Sequence, residues 1–393
     1  MRSVYLSGVG RLPFRSRYPF NYQELALDAA NLALRDAMAD KRAVDSVVYS
    51  IYNDLLLRQG TPDVMLHEYL GFSGKPAQRV TQGAATGGYA MKAAYADVAS
   101  GLSDACLVIA VQKALDVTET TAGQRGDAAL TAENWTLDAT WDMPFAQQPW
   151  ALILNRYIAA YGEPTPADLA AIAVKNRGNA VLNEFAQLRT AVTLEEVLNS
   201  RLVGAPTTMY ESCLYSETAA AVLLVSDDAP ASLPRRLQVT GVGTCHADGV
   251  AWSDAAAEPC IPSVGGSIAR AYAMAGITDA AAQVDLFEVH DLTTGVELMT
   301  YEELGLAPRG EATKLLRSGQ TQRDGATPVN VSGGRIAAGH IAGVSAVFSI
   351  CEVADQLLGR AGNHQIPTPK GVGVVSATGG AGLSLGAAAV LTR

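Results

Sequence analysis

A glycine-rich corner that opens a helix of small residues occurs twice in this chain, once in each half. The first is residues 82–88, Gln-Gly-Ala-Ala-Thr-Gly-Gly; a helical pattern runs from it to about residue 100, and an apolar run follows at 105–111. The second is residues 332–340, Ser-Gly-Gly-Arg-Ile-Ala-Ala-Gly-His, with a helical pattern to about 358 and an apolar run at 371–376. The apolar runs at 4–9, 44–51, 104–111, 219–226, 237–242 and 284–289 read as short buried strands, as in a mostly parallel sheet. Between them lie helical patterns such as 22–40, with Leu25, Ala29, Leu32 and Met38 at helical spacing. Strands alternating with helices predict an α/β fold, and the repeated corner predicts two similar halves, each with a central buried helix. One half takes residues 1–115 and 211–230, the other 235–393, with a Pro/Ser-rich join at 227–234. Residues 116–210 read as an insertion of loops and helix, rich in Trp, Gln, Asn and Thr (Trp135, Trp141, Gln147, Gln148, Trp150), placed to cover the active site or a partner subunit. Within it, 166–176 is helical, with Leu169, Ile172 and Val174 as its apolar residues.

Composition narrows the function. Of 393 residues 49% are hydrophobic and 17% charged, which suits a large core and a subunit interface. The net charge of −10 comes without a basic run, which argues against nucleic acid and anionic membranes as partners. Five cysteines, an odd number without a CxxC pair, argue against a disulfide framework or a zinc site and for a reducing cytoplasm. The first residues are too short in apolar run for a signal peptide, and no stretch reaches the roughly 18–20 apolar residues of a membrane span.

Four positions carry candidate chemistry. The corner residue Ala84 sits where a helix N-terminus favours an anion, so a thiol there would be activated; the chain offers a methyl group. His290 closes an apolar strand, at the end of the sheet where ligands bind in α/β folds; it can donate a hydrogen bond to a carbonyl becoming an enolate, or simply bond to backbone. His340 lies in the second glycine-rich turn, placed to act as base toward a hydroxyl or a bound water, or as a scaffold histidine. Asn330 would orient a water or the side chain of His290, or cap the turn into Ser332. Cys213 and Cys351 read as buried small hydrophobes, and His246 beside Cys245 as a surface loop residue.

Four segments resemble the thiolase superfamily, most closely its sterol-carrier-protein branch: Ala84-Ala-Thr-Gly87, Glu288-Val-His-Asp-Leu292, Asn330-Val-Ser-Gly-Gly with Gly339-His340, and Gly379-Gly-Ala-Gly-Leu383. They come in the family's order and span nearly the whole chain. The resemblance implies a five-layer α-β-α-β-α sandwich and puts Ala84 at the position of the nucleophilic cysteine. It makes His340 the base for that cysteine and gives Gly339, Gly379 and Gly380 to loops whose N–H groups bind the substrate's oxyanion. The second cysteine of the family is missing too: Leu292 stands at one of its places and Ala377-Thr-Gly379 at the other. The implied substrate is an acyl-CoA, with coenzyme A as substrate or product and no other cofactor or metal. The implied assembly is a homodimer, with a small OB-fold, zinc-ribbon protein as a possible partner. Three functions follow: thiolase-type carbon–carbon chemistry with covalent acyl transfer disabled at Ala84; retro-aldol cleavage of a 3-hydroxyacyl-CoA by His340 and His290; or a non-catalytic subunit.

Overall fold

The computed structural model describes residues 1–114, 147–249 and 257–393. Its strands are β1 (Val4–Arg11), β2 (Ser46–Ser50), β3 (Ala77–Val80), β4 (Ala105–Gln112), β5 (Leu202–Gly204), β6 (Thr207–Thr208), β7 (Thr218–Ser226), β8 (Leu237–His246), β9 (Leu286–Glu288), β10 (Val372–Gly379) and β11 (Leu385–Thr392). The helices that bear on the site are α1 (Tyr22–Asp36), α2 (Thr86–Ser100), α3 (Gln147–Tyr161), α4 (Pro166–Leu182), α5 (Pro262–Ala275), α6 (Thr294–Glu303) and α7 (Ser345–Leu357).

Nine of the strands hydrogen-bond in the order β3-β2-β4-β7-β1-β8-β11-β10-β9. Antiparallel pairs outnumber parallel ones, so the sheet is mixed and not mostly parallel as the continuous apolar runs suggest, and its order contains the repeat that the two corners announce. Outward from β1, the pairs β1–β7 and β7–β4 are antiparallel, and β4–β2 and β2–β3 are parallel. Outward from β8, the pairs β8–β11 and β11–β10 are antiparallel and β10–β9 is parallel, and a parallel bridge from Phe287 to Val329 extends the series. The halves join where Tyr5 pairs with Gln238 and Leu6 with Leu237.

The helices complete five layers. Helix α1 covers the outer face of the first half and α5 that of the second, while α2 and α7 lie between the halves and touch strands of both. Strand β4 records this in its alternation. Ala105, Leu107, Ile109 and Val111 enter the cluster under α1, and Cys106, Val108 and Ala110 enter the cluster around α2 and α7. The small residues of α2 have a direct cause. A Cβ on Gly87 would fall 3.1 Å from atoms of Ala346 and Val347 on α7, and one on Gly88 would fall 2.4 Å from Ala387 on β11.

Some boundaries differ from expectation. Helix α1 stops at Asp36, and Met38 takes a left-handed φ of 52°. The second glycine-rich corner opens a helix as expected, but a few residues later than its end at His340: a π-helical turn, Gly334–Ala338, ends at Gly339, whose φ of 131° no continuing helix can use, and α7 starts only at Ser345. His340 therefore lies in a loop. The insertion helix α4 runs to Leu182, six residues past its expected end, from a capping box of Thr165 and Asp168 with Pro166 in its first turn. Trp135 and Trp141 lie outside the described residues. No described helix is long and apolar enough to cross a membrane.

Candidate active site

The site assembles where β9 runs out. Strand β9 pairs with β10 only opposite Gly373–Val375, so the farther edge of β10 is left unpaired. The chain leaving β9 carries His290 past that edge, and the Thr378 N–H donates to His290 Nδ1 at 3.2 Å. The other ring nitrogen, Nε2, lies 3.1 Å from Nδ1 of His340. His340 is held by its own loop. Its carbonyl accepts from Ser216 N–H at 2.8 Å, Ser345 Oγ lies 3.2 Å from Nδ1, and the Tyr215 ring stands edge-on at 5.6 Å. Both imidazoles are buried. Burial, then the buried Arg335 guanidinium, lowers His340 to about 3. Burial, then His340 and Arg335, holds His290 well below the usual imidazole value. The pair is neutral at physiological pH.

The first-half corner reaches the same place. Gly379, next to Thr378, packs so closely on Ala84 that a Cβ at 379 would fall 2.6 Å from the Ala84 nitrogen; Gly83 packs likewise on Gly380. Thr86 braces the corner: its Oγ1 accepts from Gln82 N–H and donates to the Gly83 carbonyl. No side chain caps the N-terminus of α2. Contacts thus link Ala84, Gly379, Thr378, His290 and His340. Gly339 has a different neighbour: its Cα faces the Phe14 ring, where a Cβ would come within 2.5 Å.

Asn330 sits in the left-handed region, with φ 56°. Its Oδ1 accepts from Val289 N–H at 2.9 Å and its Nδ2 donates to Glu297 at 2.7 Å. It fixes the backbone just before His290 instead of touching the imidazole.

Glu297, on the first turn of α6, is the residue that sequence reasoning left without a role. Its carboxylate accepts from Lys175 Nζ, Asn176 Nδ2, Asn330 Nδ2 and Tyr301 OH, all buried. The insertion helix α4 supplies further braces: Asn176 to Asp291, Asn179 to the Asn330 carbonyl, Asn183 to the Ser332 carbonyl. Lys175, Asn176 and Asn179 share one side of that helix, with Asn183 just past its end, and this polar stripe was the available signal. Asp291 also accepts from Arg335 and Ile336 N–H; burial and then Glu297 push its carboxyl up to about 8.

The thiols nearest this region are poor nucleophiles. Burial raises Cys351 to about 12 and raises Cys213 as well. Leu292 packs into the apolar cluster beneath α6. His246 is exposed, at the end of β8 and not in a loop. No group of three or more metal-ligating side chains occurs among the described residues.

The neutral pair makes the fold acid-sensitive. An unfolded imidazole titrates near 6.5, so between that pH and about 3 the unfolded chain binds the proton that folded His340 refuses. Stability therefore falls as pH falls through this window. The thermal midpoint should drop on acidification and drop less in His340→Gln; parallel curves would contradict a buried neutral His340.

Comparison with known proteins gives consistent results. Residues 242–393 match the family model described as thiolase C-terminal domain-like. The acetyl-CoA acetyltransferase of Methanothermobacter thermautotrophicus is 30% identical over 387 residues, covering 97% of each chain. The benzoylsuccinyl-CoA thiolase subunit BbsB of Thauera aromatica is 29% identical over 96% of this chain and 95% of its own. Among solved structures, the Ltp2-ChsH2(DUF35) aldolase superposes with a TM-score of 0.82 at 22% identity, covering 100% of this chain and 98% of the other.

Proposed function

The chain belongs to the thiolase superfamily, and from that premise we propose that it works on the carbon–carbon bond next to the carbonyl of an acyl-CoA thioester without forming an acyl-enzyme, by retro-aldol cleavage of a 3-hydroxyacyl-CoA. One observation carries this reading: the corner that packs on the end of β10, beside Thr378, offers the methyl group of Ala84, while a neutral histidine pair stands intact beside that strand end. Covalent acyl transfer needs a nucleophile at the corner. Retro-aldol cleavage does not. The proton leaves the 3-hydroxyl, the C2–C3 electron pair moves into the thioester as an enolate, and C2 takes up a proton. The products are a shorter acyl-CoA and an aldehyde or ketone, and no coenzyme A is consumed. The protein must then offer a fixed hydrogen-bond donor to the enolate oxygen, a contribution of about 3–4 kcal/mol when one such donor is removed. An aldolase of the same fold, Ltp2-ChsH2(DUF35), makes the chemistry compatible with this architecture.

The test is incubation with 3-hydroxyacyl-CoA esters of varied chain length and branching. A carbonyl product and a shortened acyl-CoA should appear together, with free coenzyme A unchanged. Cleavage of 3-oxoacyl-CoA that depends on added coenzyme A would overturn the proposal in favour of thiolysis.

The proposal includes a homodimer. Among the described residues strand β3 pairs only with β2, and Ala77 and Gln78 are exposed, which leaves an open edge for a second copy. Sedimentation velocity should give twice the chain mass; a single-chain mass at micromolar concentration would refute it. A small OB-fold, zinc-ribbon partner also belongs to the proposal. It is supported by relatives named as a subunit and as a DUF35 complex.

A further inference from the structure

The hydrogen bonds around the two histidines have a direction. An amide N–H can only donate, so the nitrogen that receives Thr378 N–H, His290 Nδ1, carries no proton. His290 is then neutral, with its proton on Nε2. That proton points at His340 Nδ1, 3.1 Å away, which must therefore be the acceptor. His340 is in turn neutral, with its proton on Nε2. Ser345 agrees: its Oγ lies 3.2 Å from the same Nδ1 and accepts from Ile341 N–H, so its hydroxyl proton is available to that nitrogen or to the Ile341 carbonyl. Both nitrogens of His290 are now committed. Among the described residues, nothing accepts from Nε2 of His340.

The geometry points to a one-way proton chain, from Thr378 N–H through His290 to His340, in which His290 is a positioning residue and His340 alone presents an N–H to a ligand. This rests on the proposed enolate chemistry for its purpose, though not for its geometry. It redistributes the roles expected from the sequence. The donor to the enolate oxygen becomes His340, and in these tautomers neither ring offers an unprotonated nitrogen to the substrate hydroxyl. His340 cannot accept at Nε2 unless its inner nitrogen gains a proton. That would turn His290 around, with a proton on Nδ1 against the Thr378 N–H, which the end of β10 holds in place. Burial and Arg335 oppose the alternative of charging either ring.

The chain has five histidines, His67, His246, His290, His340 and His364, so selective ¹⁵N-histidine labelling gives a resolvable spectrum. Variants of His67, His246 and His364 assign those three and leave the pair by elimination. At neutral pH both remaining rings should show a protonated Nε2 and a bare Nδ1. A proton on Nδ1 of either ring, or a doubly protonated ring, would overturn the chain whatever the enzyme's substrate. Kinetics supply the second measurement. His290→Gln keeps an acceptor for Thr378 and a donor for His340, so turnover should stay within about tenfold, while His290→Leu should lose on the order of a hundredfold with KM little changed. Equal losses in the two variants would mean that His290 meets the substrate itself. If the tautomers are as described and no 3-hydroxyacyl-CoA is cleaved, the function proposal falls and the proton chain stands.

Discussion

Ala84→Cys should give the chain a covalent step: after mixing with a 3-oxoacyl-CoA, one acyl group per polypeptide should appear by intact-mass spectrometry, and none on the Ala84 chain. The position is prepared for a thiolate. It lies just before the N-terminus of a fifteen-residue helix with no side-chain cap, where the helix dipole favours negative charge. A cysteine in such a setting has its pKa lowered by one to several units and becomes reactive near neutral pH. The contrast with Cys213 and Cys351 is physical. Those thiols are fully buried, and burial drives their pKa up. Multiple-turnover thiolysis should nonetheless stay slow. A second thiol would be needed to move the proton, and the two places where the family resemblance expects one hold a core leucine, Leu292, and the Ala377–Gly379 strand end. The same substitution should slow any retro-aldol reaction, because an acyl group on residue 84 would crowd the end of β10 at Gly379, which already packs closely on the corner. If Ala84→Cys neither acylates nor alkylates faster than the buried cysteines, residue 84 does not face the reaction space, and the proposed role of the corner fails with it.

Much of the architecture was legible because it depends on patterns that burial enforces. The two corners with small-residue helices announced the central layer, and the contacts of Gly87 and Gly88 explain why bulk is excluded there. Continuous apolar runs marked β4 and β7, which are buried along their whole length. What escaped were facts of three-dimensional convergence. Nothing in the local sequence around Thr378 says that β9 will end three residues after it starts and leave an amide for His290. Asn330 looked like a partner for a water or an imidazole because its neighbours in sequence were catalytic candidates. Its actual partners, Val289 N–H and Glu297, lie 41 and 33 residues away along the chain. The second corner also contains a π-helical turn, Gly334–Ala338, and a glycine at φ 131°, neither of which helical periodicity registers. Lys175, Asn176 and Asn179 of α4, and Asn183 just after it, carry no local signal of their buried partners, which lie more than a hundred residues away along the chain.

That convergence makes Glu297 the most sensitive position in the site. Its carboxylate is fully buried and receives four donors, one of them a Lys175 ammonium that is itself buried and also bonds the Val329 carbonyl. Truncation by Glu297→Ala leaves a buried charged amine without its counter-ion, and takes an acceptor from two amides and a phenol. Removing one member of a buried ion pair costs about 3–5 kcal/mol, a large share of the 5–15 kcal/mol typical of a folded domain. The expected result is a marked fall in the guanidinium unfolding midpoint, or a chain recovered only as aggregate. Two companions separate charge from packing. Lys175→Met with Glu297→Leu removes both charges and fills the space, so it should recover most of the loss, since well-packed apolar replacements of buried pairs are often near neutral. Turnover should not recover in that double variant. Asn330 would lose the anchor that holds Val289, and with it the backbone that aims His290 at His340. Stability restored together with full activity would show that Glu297 holds the fold and has no part in positioning the histidines; stability restored with activity lost is what the geometry requires.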